Sequence, residues 1–499
     1  MSSLAEIRKE REAKRDALIA RGVEAYPAKS SRTHRVRDAH AEFLTLAKRG
    51  EKVTIAGRIL SLRRHGSLIF ADIFDGSIFE DKGKIYNHFQ LFFSRNELDG
   101  EAFELFDATV DQGDFIEVTG PLGVTKRLGE RILVTKSWRM LTKALQAIPS
   151  EFYGIKDEDE RYRKRYLDLL LNDETRQLVE KRAKFWSAVR RFHEQRGFTE
   201  VQTPALETTV GGADARPFET HHNALDIDVY LRISAGELWQ KRLMVAGFEK
   251  TFEIGRIFRN EGMSAEHLQD YEQCEAYWAY ADYRQMYEFL RECYCFVAQE
   301  TFGTQQFSIR GFEIDLAKEW PVIDYAEEIA RQTGVNIWKA DAADIKEKLH
   351  ELVVDYDEGT VGKERLIDTL WKQCRKSIGG PAILIGEPKI TSPLAKATSD
   401  NPEVVERFHF VIAGSEVGQG YSELNDPADQ RARFLAQQAL RDAGDGEAQM
   451  ADMDFVEALE YGMPPCAGHG FSERLFAFFM NKPAREIQLF PLMRPKGRE

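Results

Sequence analysis

Nothing in these 499 residues approaches the roughly 18 consecutive apolar residues that a membrane-crossing helix requires, so the chain reads as soluble and globular. Cysteine is scarce. Cys274, Cys293, Cys295, Cys374 and Cys466 form no C-x-x-C pair, which excludes a zinc ribbon or disulfide framework and fits a reducing, cytoplasmic setting. The opening MSSLAEIRKEREAKRD carries charge from Glu6 onward and does not read as a signal peptide. Positive charge is not in excess either. With 69 Lys and Arg against 82 Asp and Glu, the net −13 favours solubility and leaves any polyanion to a local basic patch. Also missing are a G-x-x-x-x-G-K-[ST] loop and a G-x-G-x-x-G strand-turn-helix. A nucleotide therefore has to be gripped by other groups, with arginine the first candidate.

What is present divides into about three domains by length. In residues 1–50, LAEIRKEREAKRDALIARGV mixes apolar residues at helical spacing with charge, which predicts one exposed basic helix, either a solvated face or a grip on a nucleic-acid backbone. Residues 51–145 turn to short β-rich runs, VTIAGRIL, SLIFADIF, HFQLFF, DFIEVTG and RILVTKSW, broken by turn residues. Five such runs predict a five-stranded oligonucleotide-binding (OB) β-barrel. Its aromatics Phe70, Phe74, Phe89 and Phe92 are either stacking platforms or core. The proline-containing, mixed-charge stretch 146–170 reads as a linker. In 171–499, helix-like segments at 173–196 and 281–300 flank strand-like ones at 227–233, 251–259, 271–280, 407–413 and 417–424, without βαβ alternation. That pattern predicts an antiparallel sheet with packed helices, so the chain is α+β overall.

The segment TFEIGRIFRNEGMSAEHLQDYEQCEAYWAY reads as strand, polar loop, strand, and gathers Arg256, Arg259, Glu261, His267, Asp270, Glu272 and Glu275 among aromatics. Such groups are costly to bury unless they meet partners or a ligand. Glu275 and Tyr277 lie two apart, hence on one face of a strand, and GYSELND places Tyr421 and Glu423 in the same relation. Two pairs of this kind line a pocket for a cation, or each glutamate pairs with a core arginine.

Longer segments carry a resemblance. GFTEVQTPALETTVGGADARPFETHHNALDIDVYLRIS, FEIGRIFRNEGMSAEH, AYWAYADY, YSELNDPADQRARF and DFVEALEYGMPP together resemble the class II lysyl-tRNA synthetases over nearly the whole chain. The match includes the motif 1 proline (Pro204), the motif 2 loop FRNEG, the motif 3 arginine (Arg474), and RYRKRYLDLLLN after the barrel. It implies an N-terminal anticodon-binding barrel, a class II antiparallel catalytic domain, a homodimer formed largely through motif 1, and the substrates ATP, L-lysine and tRNA(Lys). By the same resemblance Arg259 grips the α-phosphate of ATP and Arg474 the γ-phosphate. Tyr271 takes the place of an adenine-stacking phenylalanine, and Glu261 and His267 lie near the adenine and phosphates. Glu237, Glu275, Tyr277, Tyr421 and Glu423 match the lysine pocket, with Glu423 facing the side-chain ammonium. Mg²⁺ is implied at the phosphates. In the barrel, Phe70 and Glu130 match anticodon contacts, the first by stacking and the second by hydrogen bonding.

The chain also departs from that family. Where two glutamates seven residues apart are expected at the metal, ERFHFVIAGSEVGQG has Glu416 but His409, a poorer ligand for a hard cation. Gln419 replaces an asparagine near the α-carboxylate. AGHGFSERL is one residue short of the usual motif 3, whose glycines let the backbone approach ATP. Phe74 stands in place of a glutamine, and SIFEDKGKIYNH lengthens a barrel hairpin. Two readings follow: an active lysine–tRNA ligase, or a paralogue that binds lysine, nucleotide or RNA without efficient aminoacylation.

Overall fold

The computed structural model describes residues 4–81, 84–125, 129–149, 155–213, 215–262, 264–356, 362–389, 392–442 and 449–497. The chain forms two compact units, Met1–Arg161 and Tyr162–Glu499. Their boundary lies within 146–170, of which 150–154 fall outside the described residues.

In the first unit the strands are β1 (Lys52–His65), β2 (Leu68–Phe74), β3 (Phe79–Asp81), β4 (Lys84–Tyr86), β5 (Phe89–Ser94), β6 (Phe115–Val124), β7 (Arg131–Val134) and β8 (Ser137–Thr142). The long β1 closes the barrel. Its first half pairs with β6 and its second half with β2, and a bulge between Ile59 and Ser61 bends it between the two partners. The ring runs β1-β2-β5-β7-β6 and back to β1, with β8 added beside β6. The expected RILVTKSW strand is therefore two strands: Thr135 N–H donates to Phe92, and Lys136 N–H to Thr119 across the ring. The lengthened segment carries the separate β3–β4 hairpin, with 82–83 outside the described residues. Two glycines permit the close strand crossings, since a Cβ at Gly57 would meet the Phe74 carbonyl oxygen at 2.4 Å and one at Gly120 the Val134 oxygen at 1.9 Å.

The single exposed basic helix expected at the N-terminus is corrected by the structure. Three helices stand there, Leu4–Ala20, Val36–Ala41 and Phe43–Arg49, and Leu18, Val36, Ala39, Phe43 and Leu46 join Val53, Ile55, Phe89 and Leu91 in one core. Burial of each of the larger side chains, Leu18, Val36, Phe43 and Leu46, contributes about 1.5–3 kcal/mol to holding these helices on the barrel. Arg11 is buried too, its guanidinium donating to the carbonyls of Gln112, Ala144 and Gln146 at 2.9–3.1 Å.

The second unit holds β9 (Thr199–Glu200), β10 (Leu206–Glu207), β11 (Glu219–His222), β12 (Ile227–Leu231), β13 (Lys250–Phe258), β14 (Asp270–Ala279), β15 (Gln306–Ile309), β16 (Phe312–Asp315), β17 (Val322–Asp324), β18 (Ala382–Ile385), β19 (Arg407–Ile412), β20 (Ser415–Ser422) and β21 (Cys466–Ser472). Eight of them form the main sheet in the order β17-β18-β19-β20-β21-β14-β13-β9, antiparallel except at its two outer pairs, β17–β18 and β13–β9. One face is covered by two long amphipathic helices. Asn172 caps Asp173–Glu194 by accepting from Glu174 N–H, and an Asp282–Gln285 capping box starts Tyr283–Phe302. Phe185, Val189, Phe192, Leu290 and Val297 from these helices pack on Cys274, Ala276, Phe410, Ala467 and Phe471 of the sheet. The opposite face carries polar side chains, and the helix Glu237–Val245 packs over part of it.

Candidate active site

On that polar face the strand register builds two rows of side chains. Glu275 (β14) and Gln419 (β20) both pair with Gly470 of β21, and Tyr277 and Tyr421 both pair with Gly468. The glycines of the short motif 3 thus form a pocket floor between the acid–phenol pairs, whereas the sequence suggested only an approach to ATP. A Cβ at Gly468 would meet Tyr277 at 2.5 Å and Glu423 Oε1 at 2.6 Å. Strict alternation would turn Glu416 away from this face. However, the register shifts at Val417, so that His409 pairs with Gln419 while Val411 pairs with Glu416, which brings Glu416 round to the same side.

The deeper end of the pocket is acidic and dry. Glu237, Glu275, Tyr277 and Glu423 are all buried. Glu275 Oε1 accepts from Ala235 N–H at 2.8 Å and from Gln273 Nε2 at 2.5 Å, and its Oε2 accepts from the Tyr277 hydroxyl at 3.2 Å. The Tyr421 hydroxyl donates to Glu237. Among the described residues Glu423 meets no arginine but Lys241, Nζ to Oε2 at 2.5 Å, and the same ammonium lies 2.7 Å from Glu237 Oε1. A glutamate with a core-arginine partner does exist: it is Glu253, bound to Arg232 at 2.5 Å. Burial, reinforced by the Glu237 charge, raises Glu275 to about 7 and Glu423 to about 8.

Toward the mouth stand the arginines. Arg259 follows β13, with its Nε donating to the Ile233 carbonyl at 3.2 Å and its guanidinium 5.9 Å from the centre of the Tyr271 ring. Arg474 opens the helix Arg474–Phe479, and burial lowers its pKa against the opposing charge of Glu266. Both arginines act electrostatically on Tyr271, whose hydroxyl burial pushes up, and on His267, lowered first by burial and then by Arg474. His267 Nδ1 lies 2.8 Å from Ser264 Oγ, and Glu261 is exposed on the same loop, its carbonyl accepting from Gln269 at 3.2 Å. Arg256 and Glu272 have structural partners instead, Asp270 and Arg182. The sequence reading missed Glu266, whose carboxylate joins Arg310 Nη1 at 2.6 Å, Ser415 Oγ at 3.1 Å and Arg474 Nε at 3.7 Å.

Gln419 is exposed and accepts from Arg407. His409 is engaged: its Nε2 lies 2.7 Å from Glu387 Oε2, and its Nδ1 3.6 Å from Glu416 Oε2. Glu416 also accepts from Trp371 Nε1 at 2.6 Å, and His409, Arg375 and Trp371 hold its pKa below the ordinary range against burial. Among the described residues no group of three or more His, Cys, Asp or Glu side chains is placed to hold a metal. A divalent ion beside Glu416 would find the Glu387 carboxylate already engaged by His409 and Arg407 and would draw its other ligands from elsewhere; this fits Mg²⁺, which takes one or two carboxylates together with substrate phosphates.

In the barrel unit, Phe70 is half-buried opposite Phe92, with ring centroids 5.2 Å apart, and the pair is available for stacking. Phe74 and Phe89 are core. Glu130 is exposed just before β7, and its carbonyl accepts from Thr125 N–H at 2.9 Å.

A largely antiparallel sheet with acid–phenol pairs deep on its polar face and two arginines nearer the surface is the arrangement of an adenylate-forming synthetase. Residues 157–494 match the family model of the class II tRNA synthetases (D, K and N), and the chain belongs to that class. It is 41% identical over 499 residues to the lysine–tRNA ligase of Roseiflexus sp. (strain RS-1), covering 99% of each. With the lysine–tRNA ligases of Thermosipho africanus (strain TCF52B) and Thermotoga maritima it shares 39% over 500 and 499 residues, 99% of this chain and 97% of each relative. Within the class, it is a member of the lysine–tRNA ligase family.

Proposed function

We infer that this chain activates L-lysine with ATP, releasing pyrophosphate, and transfers the lysyl group from lysyl-adenylate to the 3′ end of tRNA(Lys). The observation that carries this reading is the buried acidic pocket built over Gly468 and Gly470. An ammonium presents three donors, and the Glu423 carboxylate with the Tyr277 and Tyr421 phenols supplies acceptors in a site from which water is excluded. Glu237 and Glu275 serve the α-ammonium and complete the set. A neutral side chain of similar length would strand those carboxylates, and an anionic one would be repelled.

The first step needs no general base, because the lysine α-carboxylate is ionised and attacks the α-phosphorus in line. Arg259 is the group for the charge that develops on the α-phosphoryl oxygens, and Arg474 for the γ-phosphate, with Tyr271 against the adenine. Glu261 and His267 line the same nucleotide loop, and Gln419 orients the α-carboxylate. Glu416 would hold Mg²⁺, which would supply neutralisation of phosphate charge; His409, anchored by Glu387, neighbours that carboxylate. Phe70 and Glu130 read the anticodon, and motif 1 around Pro204 joins two copies into a homodimer. Among the described residues no helix is long and apolar enough to cross a membrane, and a cytoplasmic setting suits the substrates.

Lysine-dependent ATP–pyrophosphate exchange, run beside the other nineteen amino acids without tRNA, tests the reading. Exchange with lysine alone is the expected result. No exchange with any amino acid, in a folded protein that still binds ATP, would overturn it in favour of the non-catalytic paralogue.

A further inference from the structure

Lys241 has no part in the reading above, yet it sits in the middle of the pocket. It lies one turn along the helix Glu237–Val245, 1% exposed, with its ammonium 2.7 Å from Glu237 and 2.5 Å from Glu423 and 5.4 and 5.9 Å from the ring centres of Tyr421 and Tyr277. Three buried carboxylates face this space: Glu237, Glu275 and Glu423. The amino-acid substrate brings two ammonium groups. Three buried negative charges against two positive ones leave one uncompensated, which a dry site does not tolerate. With Lys241 counted, three ammonium groups meet three carboxylates, and the substrate α-carboxylate is answered separately on the nucleotide side, where Arg259 stands.

We propose that Lys241 is a positioning residue of the lysine site, a built-in ammonium that neutralises one of the three pocket carboxylates and leaves two for the two ammonium groups of a diamino acid. The proposal rests on the lysine-activating reading. Burial alone lowers a lysine pKa, but here the Glu237 and Glu423 carboxylates outweigh it and keep Lys241 charged. The groups facing this centre are Glu237 on its own helix, Glu275 and Tyr277 on β14, Tyr421 and Glu423 at the end of β20, and Cys466 on β21; Arg259, Arg407 and Lys396 act on Glu275, Tyr421 and Cys466.

Lys241→Met keeps the length of the side chain and removes the charge. In the native chain KM for lysine should fall as pH rises from 6 to 8.5, because the pocket carboxyls ionise. In Lys241→Met one carboxyl has to keep its proton to balance the complex. Its KM should rise about tenfold or more at pH 8 and reach its minimum at lower pH. A role limited to packing would change KM or stability without moving the pH profile. If Lys241→Met does not fold, Lys241→Met combined with Glu237→Gln, which again leaves two carboxylates, is measured instead and should keep the native direction of the profile. A single variant with the native pH profile, or a double variant whose KM for lysine rises with pH, would overturn the proposal. Failure of the lysine-activating reading would appear separately, as no lysine-dependent exchange by the native chain.

Discussion

Two lysines, Lys143 in the barrel and Lys241 in the synthetase unit, are each 1% exposed and each held between two carboxylates. Around Lys143 every donor is used. Its ammonium donates to the Thr109 carbonyl and Asp111 at 2.6 Å and to Asp114 at 2.8 Å. The acids are satisfied as well. Asp114 accepts from the backbone N–H groups of Asp111 and Ala144, and Asp111 also binds Lys14 at 2.8 Å, so two acids stand against two bases. Around Lys241 a third carboxylate and two phenols are added, and among the described residues no second lysine or arginine forms an ion pair with Glu237, Glu275 or Glu423; Arg259 and Arg407 act on the cluster only from its edge. The closed network stabilises a fold, and the open one holds charge in reserve for a ligand.

Four outcomes break or sharpen that contrast, in descending size. Lys143→Met should cost about 3–5 kcal/mol of stability, because it leaves buried carboxylates unpaired, while KM for lysine in the remaining folded protein stays native. Denaturant unfolding and exchange kinetics read both quantities, and a shifted lysine KM would erase the distinction. Glu423→Gln should reduce lysine activation by about 100-fold or more while changing ATP binding less than about twofold. Equal losses for both substrates would remove Glu423 from the ammonium site.

The third outcome concerns pH. Glu275 near 7 and Glu423 near 8 are raised above the ordinary carboxyl value, so the folded free protein holds protons there that the unfolded chain has released. Their contribution to stability is complete below about pH 4.5 and is lost as pH rises through about 7 to 8. Lysine binds the ionised forms. The rise in melting temperature that lysine gives should therefore be larger at pH 8.5 than at pH 6, and the reverse order would contradict the assignment. Smallest is Glu266→Gln, which frees Arg474 of a competing carboxylate and should lower KM for ATP by about two- to threefold, the scale of a part-exposed ion pair. A rise in that KM would mean that Glu266 positions Arg474 instead.

Four of the eight main-sheet strands, β13, β14, β19 and β20, and both long helices were legible because alternating or 3.6-residue apolar patterns run through 250–258, 270–279, 407–412, 173–194 and 283–302, whereas β9, β17 and β18 are two to four residues long and the glycine-rich CAGHGFS of β21 shows no strand pattern. The pairs Glu275–Tyr277 and Tyr421–Glu423 could be read from spacing alone. Glu416 could not be placed that way, since the bulge at Val417 leaves no mark in the residue pattern. Glu387, twenty-two residues before His409, meets it only through the tertiary fold. The cation nearest Glu423 was hidden for another reason. Lys241 follows Glu237 by four residues on a helix, the spacing of an ordinary surface ion pair, and only the sheet beneath that helix shows that the pair is buried. At the N-terminus, dense charge masked the few apolar residues that dock on the barrel.

The most direct measurement of the open acidic pocket is calorimetric titration of the native protein with L-lysine at pH 7.5, in two buffers of different ionisation enthalpy. The difference gives the protons exchanged on binding. Glu275 and Glu423 are partly protonated in the free protein and ionised against the bound ammonium groups, so lysine should bind with net proton release. Binding with no proton exchange, or with uptake, would contradict this charge arrangement of the pocket.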